Sequence, residues 1–132
     1  SDICSNEDNF AEKFISLNNF IEEWRIRKFS EIKRLSDKYG PISAKAFPGR
    51  AAILIKLLNL NENHIKCVYE KPGSPKIGHY VPGTKIPILD EEELIKSINK
   101  TEYIINLAWH IPNEINDYLK SAGFKGELID IL

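Results

Sequence analysis

The chain has 132 residues, 42% of them hydrophobic and 28% charged, with a formal net charge of -1. Such values suit one globular domain with its own core, and they exclude a disordered chain or a strongly basic binder of nucleic acid or anionic membrane. No apolar run approaches the roughly 20 residues of a membrane span, and Cys4 and Cys67 alone cannot supply the four ligands of a structural zinc site.

The first element is a long amphipathic helix. Ser5-Asn6-Glu7-Asp8 has the form of a capping box. Behind it apolar residues recur at Phe10, Phe14, Leu17, Ile21 and Trp24, in steps of four and three. The stripe then moves to Phe29, Ile32, Leu35 and Tyr39, which predicts a bend or break near Lys28. Gly40-Pro41 ends the helix, glycine suiting the left-handed position after the last turn. The helix reads as a brace, or as a link to a preceding domain. The alternative is a coiled-coil dimer, against which the heptad register is not sustained.

Ile42 to Phe47 reads as a first strand, and Pro48-Gly49-Arg50 leads into a helix reaching about Leu60. Asn59 to His64 is a polar turn. Ile65 to Tyr69 is a second strand, Glu70 to Pro82 a long loop, and Ile86 to Leu89 a third strand. Asp90-Glu91-Glu92-Glu93 places acid in the first turn of a helix that runs to about Ile98, as the helix dipole prefers. Tyr103 to Trp109 is nearly all apolar, as a strand buried on both faces should be. Pro112 opens the last helix, which ends near Ser121 to Gly123, and Glu127 to Leu132 closes with a strand.

This alternation predicts a three-layer α/β fold of the Rossmann-like kind, with a mostly parallel sheet of about five strands in the order 3-2-1-4-5. Residues 1–40 form the leading helix and residues 41–132 the α/β domain. Ligands of such sheets bind beyond the carboxyl ends of the strands, where the strand order reverses. Three segments should converge there.

Pro48-Gly49-Arg50 offers a tight turn and a guanidinium for a phosphate or carboxylate, Glu70 a carboxylate for a ribose hydroxyl. Trp109 could stack on a base or sugar, and His110 could donate to a phosphate. Pro82-Gly83 sets a type II turn, which with Tyr80 is expected to shape the rim. Plain readings stand beside these: a βα turn with Arg50 in solvent, a strand-end acid, a core tryptophan and a capping histidine. His64, His79, Lys71 and Lys76 read as solvated. No nucleophile–base constellation is visible and no paired carboxylates sit on a shared helix face near the crevice, so no catalytic residue is assigned.

Lys76 to Ile88, KIGHYVPGTKIPI, is similar to the KxGxYxPGTxIPI string in the C-terminal domain of SAM-dependent sugar C-methyltransferases. Leu107-Ala108-Trp109 resembles that family's LAW strand end, and Pro48-Gly49-Arg50 its GAPxR-type first turn. The likeness covers about Ile42 to the end. Two departures stand out: the family opens its first turn with glycine where this chain has Ala46 or Phe47, and its acid-asparagine-proline after the second strand is replaced at Glu70 to Pro75.

The resemblance implies a three-part enzyme with a zinc-binding domain, an S-adenosylmethionine domain and this one. It also implies proton removal beside a keto group of a nucleotide-linked sugar, followed by methyl transfer to that carbon. This domain would help hold the nucleotide-sugar against the S-adenosylmethionine domain of the same or a partner chain. With no glycine-rich cofactor motif, it binds no cofactor of its own and is not expected to methylate alone.

A chain that starts at Ser1 and has no methionine reads as a segment of a longer protein or a processed one. No secretory signal precedes the first helix and nothing marks an oxidising compartment, so cytoplasm is the expected location. Two rival readings remain: a docking or scaffold module with a vestigial crevice, and a free-standing NAD- or CoA-type nucleotide binder. A single glycine in the first turn weighs against the latter.

Overall fold

The computed structural model describes residues 2–132, with side chains from residue 9 onward. Helix α1 spans Asp2–Tyr39 without interruption. The body follows as β1 (Ile42–Lys45), α2 (Ala51–Leu57), β2 (Ile65–Glu70), β3 (Ile88–Asp90), α3 (Glu91–Ile95), a 3₁₀ turn at Ile98–Lys100, β4 (Tyr103–Asn106), α4 (Pro112–Ser121) and β5 (Glu127–Asp130). All strand pairs are parallel and the order is β3-β2-β1-β4-β5, as expected.

The strands are shorter than the apolar runs that encode them. Phe47, Leu107 and Ala108 lie beyond the paired residues yet are buried, because the core continues past the last ladder bonds. Between β1 and β2 the pairing skips Lys66. This bulge leaves Lys66 in solvent and directs Cys67 and Tyr69 to one face and Val68 to the other.

Two cores result. Helices α1 and α2 cover one face of the sheet over Ala44, Val68 and Ile105; α3 and α4 cover the other over Cys67, Tyr69 and Ile104. Cys67 is a buried free thiol packed as a small hydrophobe. Burial pushes the Tyr69 hydroxyl well above its ordinary pKa, reinforced by its bond to Cys67.

The helix does not break at Lys28. The expected shift in the stripe came from a charged residue standing in an apolar position. Lys28 fills the step between Trp24 and Ile32, lays its stem on the core with a side chain only 14% exposed, and pairs with Glu31 at 3.1 Å. The stripe therefore keeps one side of the helix throughout. Gly40, at φ 85, bonds its N–H to the Ser36 carbonyl (2.8 Å) and ends the helix. Since the helix already runs from Asp2, Ser5 lies inside it and not at its cap; the side chains of Ser5 to Asp8, and Cys4, fall outside the described residues.

From Ile21 onward α1 is fixed to the body. The Trp24 indole donates to the Ile131 carbonyl (2.9 Å), just past the carboxyl end of β5. Tyr39 meets Tyr103 at the start of β4, ring centroids 5.3 Å apart. The helix thus runs from the carboxyl end of the sheet to its amino end. Trp24 and Ile32, 4% and 0% exposed, each contribute about 1.5–3 kcal/mol by burial.

Candidate functional site

The carboxyl rim is built first by the turn after β1. Ala46 takes φ 66, a left-handed conformation in a residue with a Cβ, at a cost of about 1–2 kcal/mol. Its N–H still bonds the Tyr69 carbonyl at 2.9 Å. The glycine that the resembled family carries near this point has a physical reason: the backbone there demands a positive φ. Phe47 follows, buried, with both polar groups of its backbone engaged. Its N–H donates to the Glu70 carboxylate, and its carbonyl accepts from the Lys76 ammonium, which also lies over the Phe47 ring. Lys76 is therefore not a solvated loop lysine. It ties the long loop to the first βα turn.

Arg50 and Trp109 come together. They line one apolar-walled cavity of about 260 Å³ with Ile53, Leu54 and Leu132. Both are exposed at the rim, so the indole face and the guanidinium are accessible from solvent. Pro48 and Gly49 form the turn that carries Arg50; Pro48 accepts the Ala51 N–H at 2.9 Å as α2 begins. Glu70 lies at the same end of the sheet but does not line the cavity. His110 stands edge-on to Trp109 at 5.5 Å, exposed.

Tyr80 is elsewhere. Residues 78–81 fold back along 86–88 as a hairpin: Gly78 N–H bonds Ile88 O (3.0 Å), Ile88 N–H bonds His79 O (2.9 Å), and Val81 N–H bonds Ile86 O (2.9 Å). The expected type II turn closes it, with Gly83 at φ 77 and Thr84 N–H on Val81 O at 3.0 Å. Thr84 Oγ1 donates to Val81 O and accepts the Ile86 N–H. This hairpin precedes β3, and the Lys85 N–H reaches Glu62 (3.2 Å) in the turn that precedes β2. Hence Tyr80 to Thr84 lie toward the amino end, and the expectation that they shape the carboxyl rim does not hold. Instead Pro82, Gly83 and Thr84 flank a groove of about 610 Å³ along α2. The string that carries the family likeness is a self-bonded structural unit.

Lys45 and Asn106 were missed by reading the sequence. Lys45, 3% exposed at the end of β1, pairs with Glu91 at 2.9 Å and lies 5.7 Å from the Tyr118 ring centre. Burial, with Glu91 beside it, raises the Tyr118 hydroxyl above its ordinary pKa. These groups fill the rim on the α3/α4 face. A lysine ending a strand and a glutamate opening a helix were visible separately, but nothing in sequence paired them. Asn106, fully buried, bonds Asp130 (2.9 Å) and accepts the Ala108 N–H (2.9 Å). It holds the bend that delivers Trp109 to the rim. His64 is also not simply solvated. Its Nδ1 accepts the Asn61 N–H (3.2 Å) and its ring meets Phe29 edge-on at 5.4 Å. Burial and nearby Lys33 lower its pKa, against a smaller opposite effect of Asp37.

Among the described residues no cluster of three or more His, Cys, Asp or Glu could hold a metal ion, and no helix is long and apolar enough to cross a membrane. The turn after β1 runs Ala46-Phe47-Pro48-Gly49, and one carboxylate oxygen of Glu70 accepts the Phe47 N–H.

Comparison with known proteins adds one finding. The family described as the C-methyltransferase C-terminal domain matches residues 6–129. No curated protein matches the chain. The chain belongs to the C-methyltransferase C-terminal domain family.

Proposed function

We propose that this C-methyltransferase C-terminal domain serves an enzyme acting on a nucleotide-linked keto-sugar, and that it holds the nucleotide part of that substrate rather than S-adenosylmethionine. The carrying observation is the meeting of Arg50 and Trp109 at one apolar cavity on the carboxyl rim, where strand order reverses. An indole face offers stacking worth about 1–3 kcal/mol per base. A guanidinium beside it offers a charge-assisted bond to a phosphate, worth about 1.5–3 kcal/mol. Methyl transfer itself belongs to the cofactor-binding part of such an enzyme. The residues of this chain bind and orient.

Titration calorimetry of the chain with dTDP- and UDP-linked sugars tests the reading. Trp109→Ala should weaken binding about tenfold to a hundredfold, Arg50→Ala comparably, and S-adenosylmethionine should give no heat. Absence of binding by the unaltered chain, or full binding by Arg50→Ala, would overturn it.

One observation favours a second reading, a docking module with a vestigial crevice. The backbone of Phe47 is satisfied by Glu70 and Lys76, and the α3/α4 side of the rim is filled by Lys45 and Glu91. On that reading every nucleotide sugar fails to bind while the fold stays intact.

A further inference from the structure

The cavity lined by Arg50 and Trp109 has two walls that leave the sheet at adjacent strand ends: residues 107–109 after β4, and residues 131–132 after β5. Both hang on one side chain. Asn106, 0% exposed, accepts the Ala108 N–H at its Oδ1 (2.9 Å) and donates from its Nδ2 to the Asp130 carboxylate (2.9 Å). The opposite orientation of the amide would satisfy neither partner, since an N–H needs an acceptor and a carboxylate a donor. Its backbone carbonyl takes the Ile131 N–H as well (3.1 Å). On the first wall three successive amides are thereby held: Leu107 N–H on the Lys45 carbonyl (3.2 Å), Ala108 N–H on Asn106, and Trp109 N–H on the Leu107 carbonyl (2.9 Å). On the second, Ile131 is fixed between Asn106 and the Trp24 indole, and Leu132 follows directly.

We infer that Asn106 is the positioning residue of this cavity. Acting through Ala108 and Asp130, it sets where Trp109 and Leu132 stand, and so how tightly a nucleotide-linked sugar is held, a role that rests on the nucleotide reading above. Asn106 does not touch the ligand. Alternation along β4 puts its side chain on the α3/α4 face with Ile104, whereas Ile53 and Leu54 set the cavity against α2 on the other face. Its influence therefore passes through the backbone that it ties. The chemistry of the amide makes the residue hard to replace. One planar group must accept from an N–H and donate to a carboxylate at once, which neither an ionised aspartate nor an apolar side chain does. A binding geometry is kept only where supporting hydrogen bonds lock the groups that make it. An indole left free to move has to be ordered when the ligand arrives, and affinity falls by that cost.

Titration calorimetry of the 132-residue chain with a dTDP-linked sugar tests the role. Asn106→Ala should weaken binding about tenfold, most of what the indole itself contributes. In a Trp109→Ala background the same change should cost less than about threefold, because the two residues act as one unit. Asn106→Asp, equal in size, sets a carboxylate against Asp130 and serves in place of the alanine variant if that one does not fold. Asn106→Asp combined with Asp130→Asn reverses donor and acceptor while keeping both bonds, and should restore affinity to within about threefold. Ile104→Val, fully buried on the same strand, should lower the melting temperature and leave affinity unchanged. Without ligand, nitrogen relaxation should show the Trp109 indole more mobile in Asn106→Ala and as rigid as in the unaltered chain in the exchanged pair. Full binding by Asn106→Ala, an equal loss with and without Trp109, failure of the exchanged pair to recover, or an indole as rigid without Asn106 as with it would each overturn the inference. If the unaltered chain binds no nucleotide sugar, the nucleotide reading fails, and the indole measurement alone decides whether Asn106 positions Trp109.

Discussion

Helix α1 carries one apolar stripe, yet its two halves lead different lives. Trp24 and Ile32 are 4% and 0% exposed, whereas Phe10 and Phe14, on the same side, are 71% and 55% exposed. Length explains the difference. A 38-residue helix is about 57 Å long at 1.5 Å per residue, while strands of three to six residues span about 10–20 Å. The body ends before the stripe does. Amphipathic periodicity therefore tells which side of a helix seeks cover and is silent about whether the same domain supplies it.

Substitutions can break the contrast. Ile32→Ala should cost about 2–5 kcal/mol in urea unfolding, since a fully buried side chain leaves a cavity. Phe14→Ala should stay within about 0.5 kcal/mol. Equal losses at the two positions would mean that the overhang is covered within this chain after all.

Acid should loosen the packed half selectively. The folded-state pKa of His64 lies below its ordinary value of 6.5, so the unfolded chain takes the proton more readily. Its contribution to stability is present above pH 6.5 and is lost as pH falls through the folded-state pKa. Between pH 7.5 and about 5, above most carboxylate titrations, the urea midpoint should decline. His64→Gln should remove that part of the slope. Protonation also takes the Nδ1 lone pair from the Asn61 N–H. A slope that survives the substitution would assign the effect to other groups.

The smallest effect is expected at Lys28. Its stem already lies in the stripe and its ion pair with Glu31 is near the surface, where such pairs are worth about 0–1 kcal/mol. Lys28→Leu should change stability by less than about 1 kcal/mol in either direction, by the same denaturation assay. A larger loss would show that charge, not the stem, holds the two halves in line.

The rim shows the same division between pattern and placement. Arg50 and Trp109 could be nominated because each follows a strand whose order in the sheet follows from βα alternation and right-handed crossovers. Their meeting at one cavity bears that geometry out. Glu70 reaches the same end of the sheet but is held by Phe47, a pairing no spacing rule anticipates. Lys45 and Glu91 stand 46 positions apart in sequence and touch only through the packing of α3 on the sheet. Tyr80 misled because its string is distinctive: the backbone bonds of a hairpin constrain sequence as tightly as a ligand would.

By itself the sequence determined the α/β class, the strand order, the long helix, the type II turn and the family likeness. All of these rest on local chemistry: apolar period, proline and glycine dihedrals, and caps. Only the tertiary structure decided that α1 runs unbroken, that its stripe is exposed from Phe10 to Leu17, that Glu70 and Lys76 close on Phe47, and that Tyr80 lies away from the rim. Those outcomes depend on which distant groups compete for the same hydrogen bonds and the same area, and such competition is settled only when the chain is folded.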